Sequence, residues 1–345
     1  MDRRDALRTF GRWGAGSLAL TALAGLGPQR AAAAGALPLT VGIGGFTFAY
    51  LPLLTAKAAG FLDAEGLDVT FVNTGGGTNA MAATLGGSVD VCGLVMSDII
   101  LAASKGQKIK AFAPLMVQYA SDAVISVKAA EKIGLTEKMP LAERMARLKG
   151  LTLAISGRGS GTDKLWRHLV MLGGLDPDRN VTLTVVKLDQ MYAALKSGQI
   201  DGFNTTAPAN NRAVEDGLAV WAARPSQGEV PGLENFLYTV LGAKPDVLAS
   251  KADPIGRLVT GLAKGGALVR ADPAKAGRLI QEQYFPQTDL GLVQKAVADQ
   301  AATVSVPLAF TPGQFEQNRD FMLRFGDEVK QVAAADVMDT GWSRP

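Results

Sequence analysis

The chain has 345 residues, of which 48% are hydrophobic, with one histidine, one cysteine and a formal net charge of +3. A chain of this length can bury a large core and suggests two lobes. A single cysteine excludes an intrachain disulfide. One His with one Cys also excludes a His/Cys metal site. The positive excess belongs to residues 1–34, which hold five Arg and two Asp, so the remainder is near neutral and gives no reason to expect nucleic-acid binding.

Residues 1–34 have the organisation of an export signal. Four arginines precede an apolar stretch over residues 13–26, and the small-residue run 31–34 follows it. This order predicts a signal peptide, cleaved near Ala34 or alternatively Ala36. The apolar stretch is shorter than the roughly 20 residues of a membrane span, so an uncleaved anchor is the lesser alternative. We therefore expect a periplasmic protein.

The export route depends on the first residues of this signal. Arg3-Arg4 followed by Leu7 resembles a twin-arginine (Tat) signal. Asp2 and Ala6 depart from that pattern, because such signals usually carry Ser or Thr before the arginines and Phe after them. Export by the Tat route and export by the Sec route both stay open.

Residues 37–117 predict strands that alternate with short helices. The predicted strands are Leu37–Ile43, Leu67–Val72, Val89–Leu94 and Ile109–Val117, and the predicted helices are Tyr50–Ala59, Asn79–Leu85 and Ile99–Ser104. This alternation indicates parallel sheet built from βαβ units. Ser97-Asp98 are interpreted as the cap of the third helix, and Cys92, within an apolar strand, as a buried hydrophobe rather than a reactive thiol.

The same pattern then restarts. The predicted helices are Leu141–Leu148, Thr162–Leu172, Met191–Ser197 and Ala207–Asp216, and the predicted strands are Gly150–Ile155, Val181–Val186 and Ile200–Phe203. Residues 82–90 also line up in sequence with residues 193–201. This repetition predicts two similar α/β lobes, and we interpret Asp90 and Asp201, which end the repeated segment, as structural.

After Pro231 the pattern changes to one strand followed by helices. The predicted strand is Phe236–Gly242, and the predicted helices are Asp253–Val269, Pro273–Tyr284, Leu290–Ala302 and Pro312–Phe325. Asp272-Pro273 and Thr311-Pro312 are typical helix starts, with proline at the first helical position.

Several segments match a known family in their order and spacing. They are Ala56–Leu62, Glu65–Val69, Gly87–Asp90, Leu148–Leu151, Gly159–Gly161 and Gly198–Asp201, with Pro208 shortly after. With these segments the chain resembles the periplasmic substrate-binding proteins of ABC importers, in particular the branch that binds sulfonates, taurine, nitrate and thiamine-pyrimidine precursors. The resemblance implies a type II fold of two α/β lobes, each a mostly parallel sheet flanked by helices, with the ligand cleft between them.

The resemblance also implies how the chain is divided and what it does. Lobe one would comprise residues 35–120 and, with a return strand and C-terminal helices, 231–345, and lobe two would comprise 121–230. Such a protein is expected to be a monomer that closes on a small anion and delivers it to membrane permease subunits, without cofactor or metal. Residues 204–208 lack the aromatic residue that many relatives carry before the proline, which leaves a more polar or larger ligand than a simple alkanesulfonate open.

Ligands of open parallel sheets bind beyond the carboxyl ends of the strands. Here five loops follow such ends, and each leads into a predicted helix whose free N–H groups would point at the cleft. The ligand contacts predicted from these loops are Phe46, Thr47, Phe48, Gly76, Thr78, Ser97, Ser160, Gly161, Thr162, Asn204 and Thr205. In the alternative interpretations, Thr78, Ser97 and Thr162 only cap helices, Phe46, Phe48 and Tyr50 belong to the core, and Arg158 faces water.

No catalytic residue is predicted. Acid–base or nucleophilic chemistry usually needs a histidine, a reactive cysteine or paired carboxylates, and His168 falls inside a predicted helix. The glycine-rich run 157–161 lacks the Gly-Lys-Ser/Thr ending of a P-loop, and the cysteine-rich motif of a yeast pyrimidine synthase with this fold is absent. The alternative function is an exported enzyme or a pyrimidine-precursor-processing protein on the same scaffold.

Overall fold

A computed structural model describes residues 35–344, and the predicted signal segment lies outside the described residues. In the described part, the chain forms two five-stranded sheets. The first has the order β2-β1-β3-β10-β4, with strands β1 (Leu37–Ile43), β2 (Leu67–Asn73), β3 (Val91–Val95), β4 (Lys110–Met116) and β10 (Thr239–Ala243). The second has the order β7-β6-β8-β5-β9, with strands β5 (Asp122–Ser126), β6 (Thr152–Ile155), β7 (Thr182–Val185), β8 (Gly202–Thr205) and β9 (Ala219–Ala223).

Helices cover both sheets. The α-helices are α1 (Leu51–Ala58), α2 (Phe61–Ala64), α3 (Gly77–Leu85), α4 (Met96–Ser104), α5 (Val127–Ile133), α6 (Leu141–Ala146), α7 (Gly161–Leu172), α8 (Met191–Lys196), α9 (Ala209–Glu215), α10 (Pro245–Ser250), α11 (Ala252–Ala271), α12 (Pro273–Tyr284), α13 (Leu290–Gln300), α14 (Gln314–Met322) and α15 (Ala334–Val337). Short 3-10 turns occupy Phe48–Tyr50, Leu188–Gln190, Pro225–Gln227, Ala301–Thr303, Asp327–Val329 and Thr340–Trp342. No described helix has the length and apolar character to span a membrane.

The two sheets share one topology. In the first, β10 runs antiparallel between β3 and β4, and in the second, β5 runs antiparallel between β8 and β9. The neighbouring pairs β1–β2, β1–β3, β6–β7 and β6–β8 are parallel. The predicted two-lobed α/β fold is therefore confirmed. We call the first sheet with its helices lobe one, and the second sheet with its helices lobe two.

The sequence repeat occupies equivalent places in the two lobes. Asp90 precedes β3, and its Oδ2 accepts a hydrogen bond from the backbone N–H of Thr40 in β1 at 2.9 Å. Asp201 precedes β8, and its Oδ2 accepts one from the backbone N–H of Thr152 in β6 at 2.8 Å. Each carboxylate thus fastens the start of one strand to its parallel neighbour, which confirms the structural interpretation of both aspartates.

Most predicted elements are present, with shifted ends, and several observed elements were not predicted, including the short helices α2 and α10. Strand β5, helix α5 and strand β9 had no sequence prediction, since β5 begins with the charged Asp122 and β9 is rich in alanine, which is depleted in strands. The predicted helix from Pro312 begins only at Gln314, because Gly313 has a left-handed φ of 83°. The predicted cap at Ser97-Asp98 is wrong, since α4 already begins at Met96.

Helix α11 packs closely on α1 in lobe one because it presents glycine at the contact. A Cβ built on Gly265 would lie 2.3 Å from the carbonyl oxygen of Pro52 and 2.8 Å from Cβ of Ala56. Gly256 in the same helix has only Trp342 nearby, at 3.8 Å.

We expect Gly265→Ala to lower the free energy of unfolding by about 1–3 kcal/mol, because the added methyl group must push two helix backbones apart. The matched change Gly256→Ala should raise it by up to about 1 kcal/mol through helix propensity. Denaturant unfolding of both variants measures the difference, and equal effects of the two substitutions would contradict the packing argument.

Candidate functional site

A small cavity lies between the lobes, at the carboxyl ends of strands from both sheets. Its volume is ≈ 40 Å³, which is room for about three water molecules. Lobe one contributes Thr47, Tyr50, Gly77, Val95, Asp98, Tyr238 and Thr239, and lobe two contributes Ser156, Ser160, Gly161, Thr162, Leu188, Thr205 and Thr206. The lining is therefore rich in hydroxyl groups, and among the described residues that line it none is Lys or Arg.

Three of these hydroxyls form a connected group at the start of α7. The Oγ of Ser160 lies 3.1 Å from that of Ser156 and 2.9 Å from Oγ1 of Thr162. Oγ1 of Thr162 also accepts a hydrogen bond from the backbone N–H of Ser156 at 2.8 Å. Ser160 is the N-cap of this 12-residue helix and accepts from the N–H of Asp163. The positive end of the α7 dipole therefore lies beside the cavity.

Two further hydroxyls belong to opposite lobes. Thr47 is 7% exposed and Thr205 is 3% exposed, and both line the cavity. Next to them, Oγ1 of Thr206 accepts a hydrogen bond from the backbone N–H of Ala49 at 2.9 Å, which links lobe two to lobe one. A ligand between Thr47 and Thr205 would therefore contact both lobes at a place where they already touch.

An ion pair also crosses between the lobes. Nζ of Lys164 in α7 lies 2.7 Å from Oδ1 of Asp98 in α4, and the two side chains are 4% and 10% exposed. Ser97, also in α4, lies 3.5 Å from the same ammonium group. Buried charges are tolerated when they are paired, so this contact favours the arrangement in which the lobes meet.

Glycines allow the loops of the two lobes to approach each other. A Cβ on Gly157 would lie 2.9 Å from Oγ1 of Thr78, and one on Gly161 would lie 2.8 Å from Cγ2 of Val95. A Cβ on Gly76 would lie 3.0 Å from the carbonyl oxygen of Ser156. Side chains at these positions would force the lobes apart. Glycine at these positions therefore allows the loops of the two lobes to touch.

The structure brings five of the predicted contacts together at the cavity: Thr47, Ser160, Gly161, Thr162 and Thr205. It places the other six elsewhere. Gly76 and Thr78 lie at the loop contact between the lobes, and Ser97 lies behind the cavity near Lys164. Asn204 is fully buried, where its Nδ2 donates to the carbonyl oxygen of Thr162 at 2.9 Å and so supports the cavity wall from behind.

The two predicted phenylalanines do not line this cavity. Phe48 is fully buried and packs edge-on against Phe285 with a centroid distance of 5.7 Å, as the core interpretation states. Phe46 stacks on Tyr284 at 5.1 Å and lines a neighbouring cavity of ≈ 340 Å³, which shares Thr47 and Leu188 with the small one.

The capping interpretation is wrong for Thr78, Ser97 and Thr162. Helices α3, α4 and α7 have Gly76, Val95 and Ser160 as their N-caps, and only the last of these uses its side chain. Arg158 is exposed, and its Nη2 donates to the carbonyl oxygen of Leu183 at 3.0 Å.

Several lining residues were not among the predicted contacts. Ser156, Asp98 and Thr206 belong to loops that were expected to reach the cleft, and their polar side chains in those loops were the available signal. Thr239 is the first residue of the antiparallel return strand β10, and Tyr238 directly precedes it. No local pattern in the sequence marks them, because only the pairing of β10 with β3 brings them to the cavity.

The histidine and the cysteine do not line the cavity. His168 is buried against Phe321, and burial together with the Arg324 guanidinium lowers its pKa to about 4. Burial raises the pKa of the Cys92 thiol to about 12. Among residues 35–344, no group of three His, Cys, Asp or Glu side chains could hold a metal ion.

The carboxylate of Asp122 joins the two places where the chain passes between the sheets. Asp122 follows the first passage, and Ser226 lies in the second. Oδ1 of Asp122 accepts from the backbone N–H of Ser226 at 3.0 Å, and Oδ2 accepts from its hydroxyl at 2.6 Å. Burial raises the pKa of Asp122 to about 6 despite these bonds.

Known proteins with this fold were found by family and structure comparison. Residues 33–281 match the model of the NMT1-like family, and no curated protein matches the chain. A Bordetella bronchiseptica RB50 protein is 21% identical with TM-score 0.78, over 88% of this chain and 95% of that one. The alkanesulfonate-binding protein SsuA from Xanthomonas axonopodis pv. citri, bound to MOPS, is 16% identical with TM-score 0.69, over 88% and 98%. The periplasmic nitrate-binding protein NrtA from Synechocystis PCC 6803 is 15% identical with TM-score 0.67, over 87% and 86%.

Asp122 and His168 predict opposite effects of pH on stability. The pKa of Asp122 rises from 3.8 to about 6 on folding, so the folded state loses stability as pH rises through that range. The pKa of His168 falls from 6.5 to about 4, so its contribution is complete above pH 6.5 and is lost as pH falls towards 4. Each titration changes the free energy of unfolding by at most about 3 kcal/mol.

We therefore expect the thermal midpoint of Asp122→Asn to rise more steeply than that of the wild type between pH 4 and 6.5. The midpoint of His168→Gln should rise less steeply or fall. Differential scanning calorimetry over this range measures the slopes, and parallel profiles for all three proteins would contradict both pKa assignments.

Proposed function

The chain belongs to the NMT1-like family, and on this basis we propose that it is an extracytoplasmic solute-binding protein of an ABC importer. In this proposal it captures a small organic or inorganic anion, such as a sulfonate, taurine, nitrate or a related compound, between its lobes. It then delivers the ligand, as a monomer, to the membrane permease subunits.

The observation that carries this proposal is the hydroxyl-lined cavity between the lobes. Hydroxyls at the N-terminus of α7 and the side chains of Thr47 and Thr205 can donate hydrogen bonds to the oxygens of an acid group. The cavity volume suits a ligand of few atoms. The names of the similar SsuA and NrtA structures, an alkanesulfonate-binding and a nitrate-binding protein, agree with this chemistry.

The proposed mechanism is hinge closure. We assign residues 35–120 and 231–345 to lobe one and residues 121–230 to lobe two, because the chain passes between the sheets after β4 and after β9. A ligand that contacts Thr47 on one lobe and Thr205 on the other binds the closed arrangement better than the open one and so shifts the equilibrium towards it.

The proposed location is the periplasm. We assign residues 1–34 to a signal peptide that is Tat-like in its Arg3-Arg4 pair and is cleaved near Ala34. A binding protein in that compartment meets its ligand before the ligand crosses the inner membrane.

Screening of the purified protein by thermal shift against sulfonates, carboxylates, nitrate and pyrimidines tests the proposed function. At least one small anion should raise the thermal midpoint and should be recovered unchanged by mass spectrometry. Absence of stabilisation by every anion would refute ligand capture. Conversion of the ligand to a product would instead support the exported-enzyme alternative.

Isosteric loss of a single hydroxyl tests the location of the site. We expect Thr205→Val and Thr47→Val each to weaken binding of the best ligand about fivefold to tenfold, because each removes one hydrogen bond of about 1 kcal/mol. Isothermal titration calorimetry measures the affinity.

Thr55→Val is the matched control for these two variants. Thr55 in α1 is fully buried away from the cavity, and its hydroxyl has no hydrogen-bond partner in the described part of the chain. The control should keep the wild-type affinity and should be at least as stable as the wild type. Equal affinities for all four proteins would show that the ligand binds elsewhere.

A further inference from the structure

A groove separate from the hydroxyl-lined cavity lies between helices α3 and α4 of lobe one. Its volume is ≈ 260 Å³. The residues that line it from the two helices are Thr78, Met81, Ala82 and Leu85 on one side, and Asp98, Leu101, Ala102 and Lys105 on the other. Each set recurs every three or four residues, as expected for one face of a helix. Two facing helical stripes therefore form the walls of the groove.

Lobe two contributes to the same groove. Arg158 and Gly159, from the loop before α7, also line it. A Cβ built on Gly159 would lie 3.5 Å from Cδ2 of Leu101 in α4, which is ordinary van der Waals contact. A molecule in the groove can therefore contact both lobes.

The middle of the groove is apolar and open to solvent. Met81, Leu85, Leu101 and Ala102 provide its walls. Ala82 is exposed, and Leu85 and Leu101 are half-buried. Covering such apolar surface is favourable, so this part of the groove fits an alkyl chain.

Hydrogen-bond donors lie at both ends of the groove. Strands β2 and β3 both run parallel to β1, so α3 and α4, which follow them, begin at the same edge of the sheet. Arg158 and the hydroxyl of Thr78 lie at that end, while Lys105 and Gln107 follow the last turn of α4. Within the described part of the chain, neither Arg158 nor Lys105 forms an ion pair.

The one acidic residue among those that line the groove is already balanced. Asp98 pairs with Nζ of Lys164 at 2.7 Å, so two cationic side chains remain available for anions. They are separated by roughly the length of α4 from Asp98 to Lys105, which is about 10 Å at the rise of an α-helix. Charge and length together favour an occupant that is negative at both ends.

We propose that this groove is a second binding site, for a linear molecule with a carboxylate at each end and an alkyl chain between them. Arg158 binds one carboxylate and Lys105 the other, while the chain lies against Leu85 and Leu101. An extended octanedioate has about the required length. Because Arg158 belongs to lobe two and Lys105 to lobe one, the molecule binds best when the lobes meet.

Titration calorimetry of the purified protein with four compounds tests the chemical class. The compounds are octanedioate, octanoate with one carboxylate, 1,8-octanediol with none, and butanedioate with a shorter chain. Octanedioate should bind about fivefold or more tightly than octanoate, as expected for one additional ion pair at the protein surface. It should exceed butanedioate by about tenfold or more, because the short chain cannot reach both cations, and the uncharged diol should bind most weakly among the long compounds.

The variant Lys105→Met tests the position of one end. Methionine keeps an apolar side chain of similar length without the charge, so octanedioate and octanoate should bind this variant with equal affinity. Lys108→Met is the matched control, since Lys108 is also exposed and does not line the groove. This control should keep the preference for octanedioate.

The variant Ala82→Phe tests whether octanedioate occupies the groove. Ala82 is exposed on α3, so the ring can be accommodated without repacking the core and should fill the space between the helices. Binding of octanedioate should be lost while the thermal midpoint without ligand stays close to that of the wild type.

Small-angle X-ray scattering tests the contact with both lobes. The profile of the protein saturated with octanedioate should match the closed arrangement of the lobes described above. A more open profile would overturn the bridging role of Arg158.

These outcomes do not depend on the proposed function. No binding of octanedioate, equal binding of octanoate by the wild type, a preference that persists in Lys105→Met, or unchanged binding by Ala82→Phe would each overturn the second site while anion capture in the cleft stands. Conversely, failure of every anion in the thermal-shift screen to occupy the cleft would refute the proposed function and leave the octanedioate titrations decisive for the groove.

Discussion

The arrangement of the lobes depends on the way in which the chain passes between the sheets. In the described part the chain passes after β4 and returns before β10, and the buried carboxylate of Asp122 holds the two passages side by side through Ser226. Burial of a carboxylate is unfavourable, and two hydrogen bonds to one residue offset part of that cost. Both passages lie at the strand ends that also line the cavity, because Met116 pairs with Thr239 and Asp122 pairs with Thr205.

Where the loops meet, small residues and one ion pair share the contact. Gly76, Gly157 and Gly161 let backbone and side chains from the two lobes come within van der Waals distance, so the cavity that remains is small and lined by short hydroxyl side chains. The Asp98–Lys164 pair lies at the edge of this contact. A buried pair adds little net stability but penalises any arrangement that separates its charges. Close contact and a small site therefore have the same structural origin.

The fold could be predicted from the sequence because its signals are local. Alternating strands and helices, and a repeat that ends in Asp90 and Asp201, are visible in short windows of residues. The strand β9 gave no such signal, because alanine favours other structures. For the site, loops after strands identified Thr47 and Thr205, but the distinction between a cavity wall and the core behind it, as for Phe48, depends on packing that no local pattern carries. Tyr238 and Thr239 line the cavity only because β10 inserts antiparallel between β3 and β4.

That inserted strand also bears on how the molecule acquires its structure. The second sheet consists of residues from one continuous stretch, Asp122 to Ala223, whereas the first sheet needs β10 between β3 and β4. Until residue 243 is available, β3 and β4 each present an unpaired edge, and unpaired edges are sites of aggregation during folding. The second sheet can therefore form early and hold both passages in place. The first sheet is complete only when β10 inserts between β3 and β4. The connectivity of the chain therefore allows the second sheet to form before the first is complete.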